Sequence, residues 1–200
     1  MVKFKTYEEI VMPDTEVKTI RDLIFFQYAK LVARSAFKCS DGVSAKKANY
    51  GFIKKTFRDL RDNRKKWSDI LREDMQFVEG EKKCVFCGSA EHLTKEHIIP
   101  KTLAVNERCS SCDHIQGVHN IVWSCASCNS RKGQKGLYTF FKEIHGTDHL
   151  SDFIPPLVEK KYLKTMYLCH ECAGTLDKTP DDIYVYDIDS VINDNLKPRC

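Results

Sequence analysis

Eight of the ten cysteines in this 200-residue chain stand in four Cys-x-x-Cys pairs, and this pattern limits the folds available to it. A turn with two cysteines at this spacing presents both sulfur atoms to one point, which suits a tetrahedral metal ion. Secreted disulfide scaffolds are usually shorter, with cysteines spread more evenly. The pattern therefore predicts a reduced, intracellular, cytoplasmic protein that binds zinc. The pairs are Cys84/Cys87, Cys109/Cys112, Cys125/Cys128 and Cys169/Cys172.

The composition excludes several other classes of protein. With 42% hydrophobic and 30% charged residues, the chain can build a core for one domain or two small ones. No apolar run approaches the roughly 18 residues that a membrane span needs. The first residues lack the apolar segment of a secretory signal. Cys39 and Cys200 stand outside the pairs, and we predict a buried apolar cysteine and a tail cysteine.

Charge is distributed unevenly along the chain, although the formal net charge is only +4. Residues 46–66 hold nine bases and two acids, whereas residues 173–200 hold six Asp against three bases. A basic block in a nearly balanced chain favours a polyanionic partner. The alternative is a solvated helix face without a ligand.

Hydrophobic periodicity predicts several helices and a few short strands. A metal-binding turn leads into a strand within 84–99, a polar loop follows at 100–119, and 183–186 alternates as an edge strand does. Another short strand is predicted at 121–123. The apolar stripe of the second helix consists of Ile53, Phe57, Leu60, Trp67 and Leu71, with an interruption near Gly51. The predicted helices cover about 16–37, 45–75, 127–146 and 156–168.

The segment between the first and third cysteine pairs contains Glu96-His97. Neutral histidine is well suited to take a proton from water near pH 7, and a carboxylate is a ligand that Mg²⁺ prefers. Asn129, directly after the last cysteine of the third pair, adds a neutral oxygen ligand. Three bases lie close by in the sequence and are candidates for holding phosphates. They are Lys101, Arg131 and Lys132.

These residues together resemble the HNH endonucleases, the ββα-metal nuclease superfamily, in a variant with Asn in the third motif position. The resemblance covers about residues 84–145. It implies that His97 is the general base, that Glu96 and Asn129 hold one catalytic Mg²⁺ or Mn²⁺, and that Asn120 braces the loop and orients His97. The residues that carry it are Cys84-Val85-Phe86-Cys87, Glu96-His97-Ile98-Ile99-Pro100, Asn120 and Cys125-Ala126-Ser127-Cys128-Asn129-Ser130-Arg131-Lys132.

The sequence departs from the usual pattern of this family in three places. Glu96 stands where Asp is more usual, and Asn129 stands in place of His. The loop after the first motif usually contains paired glycines, whereas this chain has a cysteine pair at 109–112.

The eight paired cysteines divide into two quartets. Cys84, Cys87, Cys125 and Cys128 predict a closed structural zinc site, because four protein ligands leave no open position. For the second quartet, Cys109, Cys112, Cys169 and Cys172, we hypothesise another structural zinc that ties the loop to the C-terminal segment. The alternative is that His114 or His170 replaces one of its thiols.

The expected fold is α+β, with a zinc-stapled ββα-metal nuclease core, an N-terminal helical region and a C-terminal zinc-tethered extension. The expected division is 1–80 as a helical, basic DNA-binding region, 81–150 as the nuclease core, and 151–200 as a helix, second zinc knuckle and tail. The expected DNA-binding residues are Lys101, Arg131, Lys132, Lys54, Lys55, Arg58 and Arg61.

The leading prediction for function is a metal-dependent DNA endonuclease acting on double-stranded DNA. The added helices and second zinc resemble HNH-type restriction enzymes, and a palindromic substrate would imply a homodimer. The runner-up is a zinc-stapled nucleic-acid-binding module without catalysis. A third interpretation is an RNA nuclease or a protein-interaction module.

Overall fold

The computed structural model describes residues 14–36, 43–67, 80–101, 113–146, 150 and 153–179. Within these ranges the chain combines helices with a two-stranded antiparallel sheet, which confirms the α+β class in this coarse form. No helix of the described part is long and apolar enough to cross a membrane. In chain order the elements are α1 (Ile20–Ala36), α2 (Val43–Arg61), β1 (Leu93–His97), α3 (Asp113–Gln116), a 3-10 helix (Val118–Asn120), β2 (Ile121–Cys125), α4 (Ala126–Lys132), α5 (Leu137–His145) and α6 (Pro156–Ala173).

Helix α1 packs against both α2 and α6, and we call these three helices the helical body. Phe26 of α1 meets Phe57 of α2 edge-on, with ring centroids 5.7 Å apart. The backbone amide of Ile20 donates to the carbonyl of Lys178 across 3.0 Å, which ties the start of α1 to the segment after α6. Elements from the predicted first and third regions are therefore in contact, and the three-region division stays a prediction.

The second helix is shorter than the sequence pattern predicts. Helix α2 ends at Arg61, and Asn63 adopts a left-handed φ of 57° two residues later. Trp67 therefore does not continue the apolar stripe of α2. Its ring instead meets Phe25 at 5.5 Å and Tyr28 at 4.4 Å between ring centroids, on the side of α1. The helix runs through Gly51 without interruption, whereas Leu71 lies outside the described residues.

A buried carboxylate joins three helices. Glu159 of α6 is 1% exposed and accepts hydrogen bonds from Gln27 Nε2 at 2.7 Å and from the Tyr138 hydroxyl at 2.8 Å. It also forms an ion pair with Arg34. Burial, together with the charge of Glu159, raises the pKa of Tyr138 well above its ordinary value. Such a charge is tolerated in the interior because it is paired and hydrogen-bonded.

The two strands form a short antiparallel ribbon that leads directly into α4. Its register runs from Leu93 opposite Cys125 to His97 opposite Ile121. We call β1, β2 and α4 the ribbon–helix unit. The order strand, loop, strand, helix agrees with the predicted order of elements, whereas a nuclease role for the unit stays a prediction.

The predicted single helix at 127–146 is wrong, because the structure has two helices there. Helix α4 ends at Lys132, and the next residue, Gly133, has a φ of +50°, in a region that residues with a side chain rarely adopt. Helix α5 then packs Phe140 and Phe141 against Phe86, with ring centroids 5.0 and 5.4 Å away. Helix α6 continues past the predicted end to Ala173, and the predicted edge strand at 183–186 lies outside the described residues.

Candidate metal centre and active site

Four cysteine side chains meet at the end of the ribbon where Cys125 lies. The sulfur atoms of Cys84, Cys87, Cys125 and Cys128 all lie within 4.8 Å of one another, which confirms the first predicted quartet as a cluster. The Cys87 and Cys125 sulfurs are 3.7 Å apart. Sulfurs bound tetrahedrally at about 2.3 Å from zinc would be separated by about 3.8 Å. A disulfide would need about 2.05 Å. The cluster can therefore hold a metal ion such as zinc.

Local backbone contacts shape the first half of this cluster. The amide of Gly88 donates to the carbonyl of Cys84 across 2.8 Å, and Gly88 takes a φ of +78°, which favours glycine. The amide of Val85 donates to the carbonyl of Trp123 across 3.0 Å and so attaches the turn to β2. The spacing Cys-x-x-Cys-Gly thus makes a tight turn that is held against the ribbon.

The second half of the cluster begins α4. The Cys125 sulfur accepts a hydrogen bond from the amide of Cys128 at 3.4 Å, so it caps the first turn of the helix. A candidate metal ligand and a helix cap are therefore the same atom. This arrangement fixes the start of α4, and with it the position of Asn129 one residue after the last ligand.

The electrostatics of the four thiols favour a bound cation. Burial tends to raise the pKa of Cys84, but hydrogen bonds from the amides of Cys125, Cys87 and Phe86 outweigh it and bring the pKa to about 7. Burial and hydrogen bonds with the neighbouring sulfurs raise the pKa of Cys128 above its ordinary value. Four thiolates this close repel one another, and a divalent ion removes that repulsion.

The second predicted quartet stays a prediction. Cys169 is buried and Cys172 is exposed in the last turns of α6, whereas Cys109 and Cys112 lie outside the described residues. His170, one of the two alternative ligands, is buried with its Nδ1 2.9 Å from the Thr175 hydroxyl. Burial lowers the pKa of His170 to about 4. His114, the other alternative, lies on α3.

The predicted acid–histidine pair lies at the opposite end of β1 from the cysteines. Glu96 is buried, and His97 is half-buried as the last residue of the strand. Burial, followed by the positive charge of Lys101, lowers the pKa of His97 below its ordinary value. The imidazole is consequently neutral near pH 7, as a proton acceptor must be.

Lys132 lies inside the protein, and the expectation that it holds a phosphate from the surface is corrected. Its side chain is 0% exposed. The ammonium donates to Glu96 Oε1 at 2.8 Å and to the backbone carbonyl of His97 at 2.9 Å. The physical reason is that a lysine at the end of α4 reaches back over β1 and pairs with its buried carboxylate.

Asn129 faces the same side of β1 from the helix. Its Nδ2 donates to the Thr94 hydroxyl at 2.9 Å, and that hydroxyl donates to the carbonyl of Ser124 at 3.1 Å. Because the Thr94 proton is used in the second bond, its oxygen accepts from the amide nitrogen, and Asn129 Oδ1 remains the atom with lone pairs for a cation. Thr94 and Glu96 are two residues apart in β1, so their side chains lie on the same face of the strand. Asn129 and Glu96 thus offer oxygen atoms of the kind that Mg²⁺ prefers at one strand–helix interface.

Asn120 fastens the chain that leaves β1. Its side chain is 0% exposed, accepts from the amide of Ile99 at 2.9 Å, and donates to the carbonyls of Ile99 at 2.8 Å and Ile115 at 2.9 Å. The carbonyl of Asn120 also accepts from the amide of Ile98 at 2.8 Å. These are the contacts expected of a residue that braces the loop after His97. Its influence on a reaction stays a prediction.

Sequence reasoning missed a second buried lysine near this end of the ribbon. Lys161 of α6 is 3% exposed and donates to the carbonyls of Val118 at 3.2 Å and Ile121 at 3.0 Å. It ties α6 to the start of β2, opposite His97 in the register. Nothing in the local sequence predicts this contact. The contact of Lys132 had a signal, because it follows Asn129 by three residues and lies on the same helix face.

Several of the expected DNA-binding bases form ion pairs within the chain. Lys54 lies 3.2 Å from both Asp14 and Glu16, and Arg58 also pairs with Glu16. The Arg58 hydrogen bond is the main reason why the pKa of Glu16 falls to about 2. Arg61 lies 3.5 Å from Glu16 and 3.1 Å from Asp62. Three other expected bases are exposed, namely Lys55, Lys101 and Arg131, and of these Arg131 lies 3.9 Å from Glu143.

Comparisons of the chain with protein-family models, with curated proteins and with solved structures find no match.

Proposed function

We propose that this protein is a metal-dependent endonuclease that hydrolyses phosphodiester bonds in double-stranded DNA. The observation that supports the proposal is the arrangement around the end of β1. Glu96 and Asn129 share one strand–helix interface, while Asn120 fastens the segment that follows His97. A cysteine cluster that can hold zinc keeps strand and helix together. A nucleic-acid-binding module needs the cluster but has no need of this combination of polar residues.

In the proposed reaction, each residue has a distinct task. His97 takes a proton from the attacking water, whose oxygen forms a bond to phosphorus as the bond to the 3′ oxygen breaks. The leaving 3′ oxygen takes up a proton from solvent, and the products are a 5′-phosphate and a 3′-hydroxyl. Glu96 and Asn129 would hold Mg²⁺ or Mn²⁺, which would stabilise charge on the phosphate and the leaving oxygen. Asn120 keeps the loop, and with it His97, in place. Lys101 and Arg131 attract the backbone phosphates.

The proposal includes two structural zinc ions in each chain and an intracellular location. The first zinc belongs to the cluster at the ribbon. The second would use Cys169 and Cys172 with Cys109 and Cys112. Native mass spectrometry should find two zinc ions per chain, and a single zinc would contradict the second site.

Plasmid cleavage tests the catalytic role of His97. We expect nicking or linearisation with Mg²⁺, none with EDTA, and a loss of at least about 100-fold in rate for His97→Ala, since general-base catalysis contributes on that order. His92→Asn is the matched control. His92 is an exposed histidine with a φ of 48°, a conformation that asparagine tolerates. Cleavage that survives His97→Ala at the original rate would disprove the mechanism. A matching RNA duplex shows whether DNA is the preferred substrate.

A second candidate function is a non-catalytic nucleic-acid-binding module. The observation in its favour is the Lys132–Glu96 ion pair, because a buried carboxylate that is already paired is also what a purely structural network contains. Binding to DNA without cleavage in Mg²⁺, Mn²⁺, Co²⁺ or Ni²⁺ would favour this candidate over the nuclease.

A further inference from the structure

Among the described residues, the side chains assigned to the candidate site for the catalytic ion carry no net charge together. Glu96 supplies one negative charge, Lys132 supplies one positive charge 2.8 Å from it, and Asn129 is neutral. Among the described residues, no group of three or more His, Cys, Asp or Glu side chains with converging ligand atoms includes Glu96. A divalent cation brought to this interface alone would meet an ammonium group and a carboxylate that is already neutralised.

The contact of Lys132 is built into the fold. The ammonium is 0% exposed and is held by two acceptors, Glu96 Oε1 and the carbonyl of His97 at 2.9 Å. Its neighbours in sequence place it at the end of α4, whose start is fixed by the cysteine cluster. The positive charge therefore cannot swing into solvent without breaking at least these two hydrogen bonds, and it remains next to Glu96 when a second cation arrives.

We infer that the divalent ion binds to this protein together with a phosphodiester and only weakly without it, because Lys132 cancels the charge of Glu96 and the nucleic acid must supply the missing negative charge. The inference rests on the proposed nuclease function and deepens it. Mg²⁺ in proteins is commonly held by one or two carboxylates plus substrate phosphates. In this site the phosphate supplies a larger share of the negative charge around the ion, because Lys132 neutralises the carboxylate. Lys132 is thus a positioning residue that makes metal binding depend on the substrate.

Titration of Mn²⁺, followed by electron paramagnetic resonance of the free ion, tests this directly. The zinc-loaded His97→Ala variant is used so that DNA stays intact, with and without mixed-sequence duplex DNA. We expect the protein–DNA complex to bind Mn²⁺ at least about tenfold more tightly than the protein alone, after subtraction of the Mn²⁺ that binds to DNA alone. Lys132→Gln, which removes the charge but keeps an N–H donor, should tighten Mn²⁺ binding to the DNA-free protein by about tenfold. In this variant, duplex DNA should also increase the Mn²⁺ affinity by a smaller factor.

Lys135→Gln is the matched control. The Lys135 ammonium also contacts one carboxylate and one backbone carbonyl, but these are Glu143 Oε2 at 2.9 Å and the carbonyl of Arg131 at 2.7 Å, not Glu96 and the carbonyl of His97. This variant should leave Mn²⁺ affinity unchanged. The comparison with and without DNA uses unaltered Lys132, so it remains decisive even if Lys132→Gln fails to fold.

The possible outcomes separate this inference from the proposed function. Equally tight Mn²⁺ binding with and without duplex DNA, in a protein that cleaves plasmid when His97 is present, would overturn the inference and leave the nuclease function standing. A folded Lys132→Gln variant with unchanged DNA-free affinity would overturn it as well. Absence of cleavage together with absence of Mn²⁺ binding in the DNA complex would overturn the nuclease function itself.

Discussion

The ribbon–helix unit and the helical body solve the same problem, keeping polar groups inside, by different means. In the ribbon–helix unit, thiols gather at one end of β1, and a single Lys–Glu pair with an asparagine occupies the other. At the helical body, Glu159 of α6 accepts hydrogen bonds from Gln27 of α1 and from Tyr138 of the neighbouring α5, helices that are far apart in the chain. The ribbon–helix unit depends on candidate metal ligands that short turns place together, whereas the helical body depends on packing between helices.

Because the two regions are held together differently, we expect the stability of the helical body to be separable from metal binding by the ribbon–helix unit. The ribbon has only two five-residue strands, and an ion held by the four clustered cysteines would stabilise it. The helical body gains stability from burial of aromatic and aliphatic side chains. We therefore expect a change in one region to leave the other largely intact, and the following variants test that expectation.

The largest effect should come from Cys128→Ser, which removes one of the four sulfurs. We expect loss of the ribbon zinc and a local destabilisation of at least about 5 kcal/mol, since structural zinc contributes about 10–16 kcal/mol in small domains. Hydrogen exchange should show lost protection in β1, β2 and α4 and retained protection in α1 and α6. Cys200→Ser, outside both quartets, is the control. Equal loss of protection in both regions would contradict the expectation that the helical body stays folded without the ribbon zinc.

A smaller effect is expected from Glu159→Ala in the helical body. The change removes the acceptor of Gln27 and Tyr138 and the partner of Arg34, so the free energy of unfolding should fall by about 3–5 kcal/mol. Urea denaturation measures this change. The number of bound zinc ions should stay the same by native mass spectrometry. Zinc loss from this variant would show that the two regions are coupled more strongly than we propose.

The smallest effect concerns the exposed ion pairs of α2. Glu16→Gln should weaken the pairing of Lys54 and Arg58 and raise affinity for duplex DNA by about twofold to fivefold at low salt, because exposed pairs are weak and easily screened. Fluorescence anisotropy with a labelled duplex measures it. Glu81→Gln, which breaks an exposed pair with Lys83, is the control. Unchanged affinity in Glu16→Gln alone would indicate that α2 does not contact DNA.

The elements that could be predicted from the sequence are those controlled by local geometry. The Cys84/Cys87 and Cys125/Cys128 cluster followed from spacing, because two sulfurs three positions apart point to one place. The strands beside Glu96 and after Asn120 also followed from local pattern. Helix ends were less predictable. The hydrophobic spacing predicted one helix through Gly133, although the backbone conformation of this glycine ends α4. Trp67 fitted the apolar stripe predicted for α2, although its ring packs beside α1.

The amino-acid sequence alone specifies which residue types are available and which of them are close along the chain, namely the thiol pairs, the acid–histidine pair and the asparagines. The pairing of the charges, in contrast, arises from tertiary packing. Lys132 pairs with Glu96, Lys161 of α6 donates a hydrogen bond to a carbonyl of β2, and Glu16 forms ion pairs with bases of α2. The physical reason is that metal ligation depends on short turns, whereas ion pairing depends on which distant surfaces are buried together.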